Sequence, residues 1–288
     1  MIKIKNFALK LLIFCILFTS IDLIQAQTNS INDLAFYADV LTNAAETEHR
    51  KYANEKFKTT LDNIIDSSDS FDNDFKDIPW LFVRYNPTKD FRILSWQLKG
   101  ADESYIYYTI FQEKDGSSQY FSNSSHEIDQ RQSYSLANSY SAIFHEIVAV
   151  DDYFLLLAYR QIANGLTQKI CDVLTFNNRK PIIGKSIFYQ NESIPSGRGK
   201  KRVIMTYSSV ASASMNVNID GDEKAVVFDH IISVPGKETG QGLIYVPDGI
   251  YEAYEYKSAQ LWIYNPNLYA GLQYNPKTQS KPPSRKRN

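Results

Sequence analysis

The side chains best placed to move protons near neutral pH are four histidines, His49, His126, His145 and His230. All four have an acid as a chain neighbour, and two of these pairs lie in strand-like runs. His145 precedes Glu146, but the zinc-protease signature His-Glu-x-x-His needs a second histidine where Ala149 stands. Asp229 precedes His230, an acid beside a base. In an extended strand, neighbouring side chains point to opposite faces, so His145 diverges from Glu146, and Asp229 from His230 unless a β-bulge intervenes. Alternation also sets His145 beside Ile143 and Ile147. Asp248, between Pro247 and Gly249, completes the candidate catalytic set of His230, Asp229, His145 and Asp248, although its tripeptide reads first as a hairpin turn.

Nothing converges on a metal or a cofactor. A tetrahedral site needs three or more ligands together, and a structural role for each histidine outweighs ligation. The run Asn216, Asn218, Asp220, Gly221, Asp222 starts like a calcium loop, yet Val227 occupies its twelfth position; no register of the acidic stretch Asp66 to Asp77 supplies both the glycine and the glutamate. No nucleophile elbow, phosphate loop or dinucleotide fingerprint occurs. Gly197, Arg198, Gly199, Lys200, Lys201 and Arg202 read as a solvated basic turn. Tyrosine, apolar in body and polar at its tip, is abundant at 20 residues, so the clusters Tyr105, Tyr107, Tyr108 and Tyr251, Tyr254, Tyr256 are candidate platforms for a sugar or a partner.

The elements that must position these residues are mainly β. Leu34, Ala38, Leu41 and Ala45 recur at helical spacing and continue through Tyr52, Phe57, Leu61, Ile64 and Ile65, giving one long helix or a pair broken near 44–47. The charged residues between them, Arg50 included, read as a solvated face. Asp66 to Asp77 reads as a solvated joint tacked down by Phe71 and Phe75. From Trp80 onward, short runs rich in Tyr, Phe, Ile and Val alternate with turn residues, predicting an antiparallel meander. Phe91 and Ile93 oppose Leu94, Trp96 and Leu98 along one such run, so both faces are buried, as in a sandwich, a barrel or a propeller-like core. The expected organisation is a signal peptide over 1–26, a helical segment and linker over 27–78, a β-rich domain over 79–276 and a disordered basic tail over 277–288.

Composition narrows the partners. A net charge of −1 offers no electrostatic case for nucleic acid, and no run is long and apolar enough to span a membrane. Lys3, Lys5 and Lys10, the apolar run 11–18 and the exit at Ala26 form a secretory signal. The expected location is therefore periplasmic, outer-membrane-associated or extracellular. Past that cleavage one cysteine remains, Cys171, in an apolar alternating run that argues for burial.

The runs Phe91-Arg92-Ile93-Leu94-Ser95-Trp96, Asp172-Val173-Leu174-Thr175-Phe176, Val227-Phe228-Asp229-His230 and Tyr245-Val246-Pro247-Asp248-Gly249 resemble a family of exported, β-rich bacterial proteins with no assigned activity. That resemblance spans about 71–262; it implies secretion and a shared β-rich core, and assigns no catalytic residue. Two functions follow as expectations. One is an exported non-catalytic binding or structural module for a glycan or a cell-envelope component; the other is an exported hydrolase with a site assembled from distant strands.

Overall fold

A computed structural model describes residues 30–67, 70–101, 104–122, 127–162, 165–192, 199–219, 224–237 and 242–268. The segments expected to be a signal peptide and a basic tail, together with His126, Asp220 and Gly221, lie outside the described residues. The helical stretch breaks at 44–46 into α1 (30–43) and α2 (Thr47–Ile65). Its apolar stripe, Leu34, Ala38 and Leu41 followed by Phe57, Leu61 and Ile64, is buried along one side.

That stripe packs on a first sheet, ordered β1 (Phe82–Tyr85), β2 (Phe91–Lys99), β3 (Tyr105–Glu113), β4 (Ser118–Tyr120). The two-sided pattern of β2 works as its sequence predicts. Leu94, Trp96 and Leu98 face the helices, where Trp96 lies between Phe57 and Tyr108, whereas Phe91 and Ile93 face the other way into a second core. Beyond that core lies a middle sheet of β5 (Tyr134–Ser135), β6 (Ile143–Val150), β7 (Tyr153–Ile162), β8 (Leu166–Asn177) and β9 (Lys180–Ile183), in the order β5-β9-β8-β7-β6. The short β10 (Phe188–Tyr189) follows, and then β11 (Arg202–Ser208) returns to pair with β8. The far face of the middle sheet packs on a third sheet, in which β10 joins β12 (Met215–Asn218), β13 (Ala225–Pro235), β14 (Leu243–Ser258) and β15 (Leu261–Asn265) in the order β10-β15-β14-β13-β12. Among the described strands, all pairings are antiparallel except β10 with β15. The result is an open, sandwich-like stack, not a barrel or a propeller.

Polar groups stitch the layers. The Gln161 N–H donates to the Tyr107 hydroxyl at 2.6 Å, and the Ser95 hydroxyl accepts from the Phe144 N–H at 3.1 Å, joining the first and middle sheets. Trp262 Nε1 donates to the Tyr153 hydroxyl at 2.7 Å, joining the middle and third.

Two arginines, Arg50 and Arg202, overturn the sequence reading of their charge as surface, and a third, Arg92, is buried as they are. Arg50 is buried, with Nη1 donating to the Ala44 and Ala45 carbonyls at 2.8 and 2.7 Å and Nε to the Lys99 carbonyl, so it caps α1 and ties the helices to the β2–β3 connection. Arg92 is fully buried and donates to Gln112, the Tyr85 hydroxyl and the Ser70 and Asn73 carbonyls, under the rings of Phe71, Phe75 and Tyr85 at 5.2–5.5 Å. Arg202, expected in a solvated basic turn, is 0% exposed and pairs through Nε with Asp172 Oδ2 at 2.6 Å; the same oxygen accepts from the Tyr140 hydroxyl at 2.7 Å. A full charge pair in a dry core survives only with such partners, and removing one leaves the other stranded. Arg202→Met should therefore lower the free energy of unfolding by about 3–5 kcal/mol. Combining it with Asp172→Leu should recover most of that loss. Urea denaturation checks both, and a single variant within about 0.5 kcal/mol of wild type, as for a surface change, refutes the role given to the pair.

Candidate functional site

Sequence alternation separates the candidates by face; the structure departs from that rule at both histidines. The β6–β7 register shifts between Phe144 and Glu146, making His145 the extra residue of a bulge. Ile143 then pairs with Tyr159 and Ile147 with Leu156, an odd and an even position of β7, so Ile143 and Ile147 do not share a face as alternation alone requires. A second irregularity lies between Asp229 and Ile231, centred on His230. Opposite it, Asp248, Gly249 and Ile250 are looped out of β14, with Gly249 at a φ of +90° that a side chain resists. Pro247-Asp248-Gly249 is thus no hairpin turn. It lies inside one sixteen-residue strand, whose pairing with β13 resumes on both sides.

The bulge brings two of the four candidates together. His230 Nδ1 lies 2.9 Å from Asp248 Oδ2. A carboxylate can only accept here, so Nδ1 carries the proton and Nε2 of the neutral ring offers a lone pair. The Ile250 N–H, and then His230, hold the Asp248 carboxyl below its usual range. Asp229 takes different partners, accepting from the Ser214 N–H at 2.6 Å and its hydroxyl at 3.0 Å. Among the described residues, no hydroxyl or thiol hydrogen-bonds to His230, so the pair has a base and its orienting acid without a nucleophile.

His145 stands apart. Burial, then Lys169 and Arg84, pull its pKa down from 6.5 to about 4, so it sits neutral beside the Tyr159 ring. Cys171 is fully buried, and that burial pushes its thiol well above the ordinary range, the reverse of an activated nucleophile. No group of three His, Cys, Asp or Glu side chains among the described residues could hold a metal ion. The tyrosine clusters are core more than surface: Tyr107, Tyr108 and Tyr254 are buried, Tyr108 stacked on Trp96 and Tyr254 on Phe228.

An exposed aromatic beside a cleft lies elsewhere. Trp80, which reads in the sequence as the start of the first strand, precedes β1 at a φ of +64° and is 54% exposed. Phe75 also adopts positive φ, +51°. Left-handed backbone at a bulky aromatic is disfavoured, and it persists only where surroundings enforce it. Both residues line one cleft of about 390 Å³, together with Asp74, Lys76, Phe82 and Arg84. Its floor is firm: Phe75 packs on Arg92, while Ile78 and Leu81 enter the helix–sheet core. Arg84 Nε donates to the His145 carbonyl at 2.6 Å and Nη1 to the Val83 carbonyl, which fixes the guanidinium at the cleft. No sequence signal marks Trp80, because local preference argues against the backbone that displays it. A second cleft of similar volume, between Leu166, Ser208, Val210, Leu243 and Tyr245, has no charged lining residue.

No family model, curated protein or solved structure matches the chain.

The depressed pKa of His145 makes stability depend on pH. The unfolded chain binds the proton below about 6.5 and the folded chain only near 4, so stability is complete above 6.5 and falls as pH drops through that window. The loss should reach about 1–2 kcal/mol once solvent screening of the partly exposed ring is allowed for. Urea midpoints between pH 4 and 7.5 test this, and His145→Gln should flatten that part of the profile.

Proposed function

We propose that the chain is an exported, non-catalytic binding module whose ligand is a glycan of the cell envelope or its surroundings, held at the Trp80 cleft. The observation that carries this reading is an exposed indole on a strained, well-anchored backbone beside a cleft with both acidic and basic side chains. A sugar ring offers an apolar C–H face to an aromatic plane and hydroxyls to charged neighbours, and this site provides both. Presenting the ring on a fixed backbone reduces the ordering cost of binding. The second cleft, though lined in part by Ser208 and Tyr245, has no charged side chain to orient hydroxyls, which favours the first. The signal-like start, and the resemblance to exported β-rich bacterial proteins, support a site of action beyond the cytoplasmic membrane: periplasmic, outer-membrane-associated or extracellular. No helix among the described residues is long and apolar enough to cross a membrane.

The hydrolase reading has one observation in its favour, the His230–Asp248 pair. A lone histidine–aspartate pair lacking a nucleophile, and not among the lining residues of either cleft, gives a weaker argument than the indole platform.

A glycan array probed with the folded chain should give specific binding that Trp80→Ala weakens about tenfold or more, with the melting temperature unchanged. Equal binding by Trp80→Ala would remove this cleft from consideration. The same preparations should release no product from nitrophenyl esters or glycosides; turnover abolished by His230→Asn would instead favour the hydrolase.

A further inference from the structure

We infer that the saccharide taken by the Trp80 cleft is acidic, bearing a uronate or an ester sulfate. This rests on the glycan reading above and concerns which glycan the cleft selects. Two cations, Lys76 and Arg84, and one carboxylate, Asp74, line it. Among the described residues neither cation forms an ion pair with an acidic side chain, although acids are common in the preceding segment. Asp74 is itself partly engaged, its Oδ1 accepting the Lys76 N–H at 3.1 Å. The excess of positive charge is therefore available to a ligand.

Arg84 supplies the stronger argument. Its Nε and Nη1 are held by the backbone carbonyls of His145 and Val83, so the planar group is oriented before any ligand arrives. Nη2 has no partner among the described residues. A guanidinium fixed in this way loses little freedom on accepting an anionic oxygen, and charge-assisted hydrogen bonds are stronger than neutral ones. Lys76, exposed, adds a mobile point charge. With Trp80 against the ring face, the remaining Asp74 oxygen suits a hydroxyl. An uncharged sugar could offer these cations only hydroxyl oxygens, whereas a uronate or an ester sulfate offers them an opposite charge.

The test compares matched pairs in which only the charge differs: tri-galacturonate against its methyl ester, and a sulfated carrageenan tetrasaccharide against its desulfated form. Calorimetry of the full chain at low ionic strength should show the acidic member of at least one pair binding about tenfold tighter than its neutral counterpart, an advantage that shrinks as salt is added. Which pair responds distinguishes carboxylate from sulfate. Lys76→Gln, at an exposed position with no packing role, should cost about threefold for the acidic member and nothing for the neutral one. Trp80→Ala should weaken both. Equal, Trp80-dependent binding of charged and neutral members overturns the acidic preference and leaves the glycan reading standing. Absence of binding by all four, in a chain that array experiments show to bind a different sugar through Trp80, also overturns it. Absence of any saccharide binding overturns both.

Discussion

The middle sheet is covered on both faces, and that constraint governs the rest of the architecture. At its centre water is excluded, so buried polar groups there depend on partners inside the protein, with Arg202 Nη2 an exception among the described residues. Asp172, at the centre of β8, meets this condition by gathering Arg202 from β11 and the Tyr140 hydroxyl from the segment before β6, with the adjacent Val173 N–H on its second oxygen. Arg202 in turn donates to the Asp129 carbonyl and lies 4.8 Å from the centre of the Tyr134 ring. One carboxylate thereby fixes a strand and the long loop before the sheet. The space is close: a Cβ on Gly184, whose φ is +95°, would fall 2.6 Å from Arg202 Nη2. Any other residue there would be strained by its backbone and would press on the guanidinium.

The same device recurs at the other seams. Arg92 locks the joint between helices and sheet, and Arg50 locks the break between the helices. Guanidinium suits this work because its rigid fork of donors can satisfy several carbonyls at once while its face lies against aromatic rings. A lysine at any of the three positions would keep the charge and lose most of the contacts.

How far the sequence foretold this follows from the range over which each signal acts. Strands were legible because alternation and turn residues are local. Phe91 and Ile93 against Leu94, Trp96 and Leu98 correctly announced a sheet buried on both sides. The arginines were illegible because their burial depends on partners remote in sequence, Asp172 for Arg202 and Ser70 for Arg92. In isolation a charged residue reads as surface. The bulges were illegible for a different reason. Gly249 at positive φ serves a turn and a bulge equally well, so Pro247-Asp248-Gly249 pointed to a hairpin where the strand in fact continues. Missing that bulge also hid the meeting of His230 with Asp248, since period-two reasoning cannot place two residues together across a register shift.

Trp80 depends on the buried network more than on its own strand. A bulky residue in left-handed backbone costs on the order of 1–3 kcal/mol, so the segment around it must be held at both ends. It is: Phe71 and Phe75 close over Arg92 on one side, and Ile78 and Leu81 enter the core on the other. Between these anchors the chain has little freedom, and the indole is left facing solvent beside Lys76 and Arg84. Arg84 is tied in the same way, to the carbonyl of the bulged His145 in the neighbouring sheet. A bulge in the middle sheet and a cation cage under the first therefore converge on one cleft. The strain at Trp80 is offset by contacts made elsewhere, and what it yields is an exposed indole carried on an anchored backbone.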